Sequence, residues 1–461
     1  MVNKNSVLLI ATVTSFLAPF MGSSVNIALP TIGREFSMNA VVLSWVTTAY
    51  LLAVAVSLVP FGRIGDIYGR RRIYTSGMVV FTLASLCSVF AASPLELICF
   101  RVLHGIGSAM IFSTGVAILT SVFPTGERGR ILGINAASVY FGLSVGPFLG
   151  GFLTEHFGWR SIFLATVILG SMVSIFIITK LKGEWADAKG EKFDGIGSIM
   201  YGLTIVAIMY GFSLLPAISG VGIILVGFLG VLAFISWERK VESPILAIQL
   251  FQKNAVFTFS NLAAFVNYSA TFATGFILSL YLQYLKGLSP HSAGLILISQ
   301  PVVMALFSPL AGRISDRVQP RIVASIGMAL LTIGLFLFVF LSEKSTLRFI
   351  VANLTLHGFG LALFSSPNTN AVMGSVEKRL FGVASGTLGT MRVTGMMFSM
   401  GITMLIFSLF IGRVEITPTC YPQFLKSVKM IFAIFTALCF CGIFASLARG
   451  KVGSGGREEH E

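Results

Sequence analysis

Apolar residues dominate the chain in long runs, and charged residues are confined to the short segments between them. Runs long enough to cross a bilayer fall at about 6–30, 42–61, 73–92, 95–121, 131–154, 161–180, 195–216, 219–238, 255–284, 291–311, 321–341, 346–371, 381–411 and 426–447. A span needs ~20 apolar residues. Lipid offers no partner for backbone N–H and C=O groups, so each run is expected to be helical. The pattern predicts an all-α membrane protein with fourteen transmembrane helices. The even count puts both termini on one side. The first run continues to Asn26 and Pro30 without a small-residue cleavage site, so it is expected to be helix 1 rather than a signal peptide.

The pattern repeats. The charged stretch Phe61-Gly62-Arg63-Ile64-Gly65-Asp66-Ile67-Tyr68-Gly69-Arg70-Arg71-Arg72-Ile73 has a partial copy 250 residues later, Gly312-Arg313-Ile314-Ser315-Asp316-Arg317. Leu103-His104-Gly105-Ile106-Gly107-Ser108-Ala109 returns after 253 residues as Leu356-His357-Gly358-Phe359-Gly360-Leu361-Ala362. Gly133 and Gly146 match Gly382 and Gly395 after 249. Landmarks in the same order and at nearly one offset define an internal repeat. Helices 1–6 repeat as helices 9–14, with helices 7 and 8 inserted between. The expected organisation is an N-terminal six-helix bundle (1–181), a linker with the inserted pair (182–253), a C-terminal six-helix bundle (254–447) and a disordered tail (448–461). Two pseudo-symmetric bundles related by an axis along the membrane normal are one design of secondary transporters, with the substrate path between them. The inserted pair has few polar groups and is expected to cover a flank or join the halves.

Composition agrees. The chain of 461 residues is 55% hydrophobic and 11% charged, against about 25% charged in soluble domains. The formal charge of +14 does not imply nucleic-acid binding, because the basic residues are not pooled. Of the 32 Lys and Arg, 22 lie in the tails and in the loops on the termini's side, and 7 on the other side. By the positive-inside rule both termini are cytoplasmic, and the expected location is the plasma membrane. The five cysteines have no metal spacing and are expected to be small core residues.

These residues carry a family resemblance. Gly62-Arg63-Ile64-Gly65-Asp66-Ile67-Tyr68-Gly69-Arg70-Arg71-Arg72 resembles the cytoplasmic-loop signature of the major facilitator superfamily. Arg101-Val102-Leu103-His104-Gly105-Ile106-Gly107 resembles its helix-4 motif, with His104 where Gln is usual. Gly142-Leu143-Ser144-Val145-Gly146-Pro147-Phe148-Leu149-Gly150-Gly151 resembles its helix-5 antiporter motif. Ser44-Trp45-Val46-Thr47-Thr48-Ala49-Tyr50 and Tyr281-Leu282-Gln283 resemble the 14-helix, drug:proton antiporter branch. The resemblance implies the major facilitator fold and proton-coupled efflux of small molecules. It also implies a cytoplasmic gate at Gly62, Asp66, Gly69, Arg70 and the second-half Asp316. One departure matters: the branch usually has an acid five residues before the Asn of Val25-Asn26-Ile27-Ala28-Leu29-Pro30, and here that position is Met21.

The motifs also have a direct physical reading. Gly62 lets a helix approach closely. Asp66 stands before helix 3, where a carboxylate caps free N–H groups, and the arginines face the anionic leaflet. The segment is either a gate latch built on Asp66 and Arg70 or simple topology anchoring. Gly142, Gly146 and Gly150 form a stripe at spacing four beside Pro147, suited to close helix packing with a bend. The resemblance makes this motif a mark of outward transport.

All 18 acids lie in loops, tails or helix ends; the deep ionisable groups are Arg101, His104, His357 and Arg392. A buried ionisable group in a bilayer is expensive and suggests function. Arg101 and Arg392 would make a central cavity positive and favour an anion or a neutral molecule over a cation. The alternative is structural, with Arg101 satisfying helix-end carbonyls or Glu96. His104 and His357 are suited to carrying a coupling proton, or are polar packing residues. Asn26, Tyr50, Asn267 and Gln283 are further candidates for the path. The expected function is secondary transport by alternating access, the proton-coupled export of a small amphipathic or anionic organic molecule by a monomer. A lipid carrier or flippase and a non-transporting receptor on a transporter scaffold stay open. No nucleophile–base pair, phosphate loop or metal cluster points to an enzyme, a cofactor or ATP drive.

Overall fold

The computed structural model describes residues 4–241, 244–246, 248–376, 381–412 and 414–449. Among the described residues, fourteen helices are long and apolar enough to cross a membrane. They are α1 (Lys4–Glu35), α2 (Ala40–Tyr68), α3 (Arg70–Val89), α4 (Pro94–Val122), α5 (Thr125–Phe157), α6 (Arg160–Lys180), α7 (Gly195–Leu214) and α8 (Ile218–Glu238). Then come α9 (Ala255–Leu285), α10 (Pro290–Ser315), α11 (Pro320–Phe338), α12 (Leu347–Gly374), α13 (Val383–Phe410) and α14 (Pro418–Leu447). The expected tail falls mainly on 450–461, outside the described residues. Helix starts follow local chemistry. The side chains of Asn39, Ser93, Asn254, Ser289 and Thr346 each accept a first-turn N–H, satisfying donors that would otherwise be free.

The two halves use the same packing plan. In the first, α1 packs on α5 and α6, and α4 on α2 and α3. In the second, α9 packs on α13 and α14, and α12 on α10 and α11. The halves meet along two seams, α2 with α13 and α5 with α10, which exchange under the repeat. Small residues allow the close approaches. A methyl added at Gly142 would lie 2.5 Å from the Phe16 carbonyl oxygen, and one at Gly150 2.6 Å from Ser24 Cα. In the second half, one added at Gly395 would lie 2.5 Å from the Phe265 carbonyl oxygen.

The inserted pair breaks the symmetry. α7 lies over the α2–α13 seam: Tyr201 donates its hydroxyl to the Ala55 carbonyl (3.0 Å), and Phe212 meets Phe398 edge-on. α8 turns Leu225, Val226, Phe228, Leu229 and Leu232 outward, as a lipid-facing helix should.

The charged stretch departs from the expectation. It is not a long loop: α2 stays helical through Tyr68 and α3 begins at Arg70, so Gly69 alone makes the turn, at φ +120°. An L side chain rarely adopts that conformation. Gly65, rather than Gly62, is the close-approach glycine. A methyl on Gly65 would lie 2.8 Å from Thr114 Cγ2, whereas one on Gly62 makes an ordinary 3.5 Å contact with Ser113.

Candidate transport path

Asp66 does not cap α3 as expected, because it sits within the last turns of α2. Its carboxylate takes the Arg70 guanidinium at 2.6 Å. Arg70 also pairs with Asp187 (2.7 Å) and donates to Ser121 Oγ (2.9 Å). The cap on α3 comes from the linker: Glu184 Oε1 accepts the Arg71 N–H at 2.8 Å, and the Trp185 carbonyl accepts that of Arg70 at 2.8 Å. The Ala188 N–H returns to the Asp66 carbonyl (3.0 Å), and Arg63 pairs with Glu191. The linker ahead of α7 is thus clamped to the gate motif. Asp316 directly follows the α10 span, in helical backbone that runs on to Arg317, and its side chain is outside what the structure describes.

Arg101 is buried on α4 and clasps three helices. Its Nε donates to the Val46 carbonyl of α2 (3.0 Å) and its Nη1 to Met21 Sδ of α1 (3.3 Å). Its guanidinium lies over the Tyr50 ring, 4.5 Å from the centroid, and Tyr50 donates to Ser108 Oγ at 3.2 Å. Glu96 is engaged elsewhere, accepting the Ala92 N–H. Ring face and carbonyl satisfy much of the cation without a carboxylate.

Arg392 sits differently. It is half-buried on α13, donates from Nη2 to Thr369 Oγ1 of α12 (2.6 Å) and lies 5.8 Å from the Tyr268 ring centroid of α9. Thr369 donates on to the Ser365 carbonyl (2.8 Å). Ser365 Oγ meets Tyr140 OH of α5 at 3.5 Å, so this polar chain crosses from one half to the other.

The histidines do not join these groups. His104 is enclosed within the first half, with Nε2 2.9 Å from Ser85 Oγ of α3 and its ring between Phe81 and Phe163. His357 is fully buried in the second half, its Nδ1 3.7 Å from the position of a methyl on Gly334 of α11. Asn267 is buried too, and its amide has no hydrogen-bond partner among the described residues.

At the end remote from Lys4 and Arg449 the halves are tied together. Ser279 Oγ donates to the Asn26 carbonyl (2.8 Å) and Gln283 Nε2 to that of Ile27 (2.9 Å). Asn26 Oδ1 accepts from Thr47 Oγ1 at 3.0 Å. A π-helical turn, Tyr281–Leu285, holds Gln283 in this position; such turns are rare and recur at functional sites. On the second seam an added methyl on Gly151 would lie 2.5 Å from the Pro290 carbonyl oxygen, and one on Gly294 would collide with that of Pro147.

One turn inward from this closure lies a feature the motifs did not reveal. Gly22 and Gly275, 253 residues apart, are half-buried, and a methyl added to either would meet no atom within 4 Å. Gly22 stands one turn before Asn26, and Gly275 one turn before Ser279. The two glycines therefore face open space beside the inter-half closure. Their match at the repeat offset was available in the sequence, but no side-chain chemistry drew attention to it.

Two repeated six-helix halves meeting around polar groups, with one end closed, define a multi-pass membrane transporter. The family model described as Major Facilitator Superfamily matches residues 11–237 and 261–459. The chain belongs to that superfamily. It is 30% identical over 458 residues to the riboflavin transporter RibZ of Clostridioides difficile (strain 630), covering 97% of this chain and 98% of that protein. It is also 30% identical to the multidrug resistance protein Stp of Mycobacterium tuberculosis (strain CDC 1551 / Oshkosh), covering 80% of this chain and 70% of that protein. Its fold is similar to that of a bacterial homologue of the human lysosomal transporter Spinster, solved in an inward-facing and unoccupied conformation. The TM-score is 0.70 at 16% identity, covering 97% of both chains.

Proposed function

We propose that this transporter works by alternating access in the plasma membrane with both termini cytoplasmic, and exports a small amphipathic molecule that is anionic or neutral, in exchange for protons. The observation that carries the charge preference is the pair of deep arginines, Arg101 and Arg392. Neither has a carboxylate within ion-pair distance among the described residues. A positive interior repels cations and favours the other two classes. Outward direction and proton exchange are what the resemblance of the helix-5 motif implies, and the similarity to a multidrug resistance protein supports export. His104 and His357 are enclosed within their own halves, so the proposal places no coupling proton on them.

The similarity to a riboflavin transporter supports a planar, uncharged aromatic as one substrate form. The test is proteoliposome transport of ethidium, riboflavin and an aromatic carboxylate, with and without an imposed pH gradient. Export of riboflavin or the carboxylate that rises with the gradient supports the reading. Export of ethidium alone overturns the charge preference, and indifference to the gradient removes proton exchange.

A further inference from the structure

We infer that Arg392 is the anchor for the acidic group of an elongated amphipathic substrate whose apolar end lies beside Gly22 and Gly275. This deepens the proposed function and rests on it.

The two deep arginines are not equivalent. Arg101 spends its donors on Val46 and Met21 and its face on Tyr50, and is only 1% exposed. Arg392 is half-buried, and its Nε is buried without a partner among the described residues. An unpartnered donor on a permanent cation in a low-dielectric interior is costly to retain. A planar carboxylate is the group a guanidinium fork binds best, by parallel charge-assisted hydrogen bonds.

Position supports the same assignment. Arg392 shares α13 with Gly389, where an added methyl would lie 3.6 Å from Leu58 of α2, and with Gly395, which packs on Phe265 of α9. It therefore stands where α13 faces both the other half and α9. Its partner Thr369 leads through Ser365 to Tyr140 in the first half, so a ligand on Arg392 lies at the junction that must rearrange. Tyr268, beside Arg392, precedes Gly275 on α9 by seven residues. That is two helical turns, or about 10 Å along the axis. The closure at Asn26 and Ser279 ends the space one turn further on. A molecule with one acidic end and an aromatic body about 10 Å long matches that interval.

The test uses one shape in three charge states: 2-naphthoate, 2-naphthamide and 2-naphthylmethylammonium, titrated calorimetrically into the purified full-length protein in nanodiscs. Naphthoate is expected to bind about tenfold more tightly than the amide, a typical effect of one charge-assisted contact. Arg392→Gln should remove that advantage, bringing naphthoate to the affinity of the amide or below, and Arg392→Lys should recover only part of it. Gly275→Leu, whose side chain enters open space and leaves packing intact, should weaken both naphthoate and amide. Equal naphthoate affinity in the wild type and Arg392→Gln, or no naphthoate binding to the wild type, overturns the assignment. Should Arg392→Gln not fold, unchanged naphthoate binding in Gly275→Leu overturns it instead. Binding of the amide alone, unaffected at position 392, would overturn this anchor and leave the transporter reading standing. Binding of the ammonium probe alone would refute both the anchor and the charge preference it rests on.

Discussion

Arg101 Nη1 donates to the sulfur of Met21 at 3.3 Å, where the 14-helix branch usually carries an acid. A thioether is a weak acceptor with no charge, so the cation keeps its field. Met21→Asp is expected to place a carboxylate against Arg101 and to shift transport in proteoliposomes toward ethidium. The double variant Met21→Asp/Arg101→Gln should lose about 3–5 kcal/mol of stability relative to Met21→Asp, because it leaves a buried charge unpaired. Equal melting temperatures for the two variants would contradict a direct pairing.

Arg101→Lys should not substitute for Arg101. An ammonium cannot donate along two directions while stacking flat on Tyr50. The expected loss is about 1–3 kcal/mol, close to that of Arg101→Gln. Thermal unfolding of both variants in one detergent checks this; a wild-type melting temperature for the Lys variant counts against the clasp.

The gate motif and the linker should come apart together. Arg70→Ala removes contacts to Asp66, Asp187 and Ser121 at once. Limited trypsin cleavage at Lys182, Lys189 or Lys192 should quicken several-fold. Asp187→Asn should change little, because the Asp187 side chain is 71% exposed and exposed pairs contribute about 0–1 kcal/mol. Equal cleavage rates for the two variants would dissociate the linker from Arg70.

The α1–α5 contact gives a steric contrast. Gly142→Ala drives a methyl against the Phe16 carbonyl oxygen, and overpacking of this kind costs about 1–3 kcal/mol. Gly133→Ala, on the same helix, meets nothing within 4 Å, and is expected to be neutral or to gain up to about 1 kcal/mol of helix propensity. Paired melting curves read the difference, and similar shifts in both would show that the stripe is not tightly packed.

Much of the fold was legible because lipid imposes its own simple code. The fourteen spans emerged from run length alone, and the repeat from Asp66 with Asp316 and His104 with His357. Boundaries failed where helices leave the membrane. α2 continues through charged residues to Tyr68 where the linker holds that extension through Ala188 on Asp66 and Glu191 on Arg63, and holds the start of α3 through Glu184 and Trp185, long-range partners that no local pattern displays. The candidate site was legible as a set of polar residues but not as an arrangement. Asn26 and Gln283 both lie at the closure, bonded to Ser279 and to Ile27 respectively, whereas His104 and His357 turn into their own bundles.

The sequence by itself determined the class, the helix count, the duplication and the lack of deep acids, because each depends on residue type and spacing. Tertiary structure decided which of those residues can act. A helix face is set by small rotations that hydropathy does not record, because every face of a buried membrane helix is apolar. Only packing separates Arg101, held by Met21, Val46 and Tyr50, from Arg392, whose Nε at the junction of the two halves has no partner among the described residues.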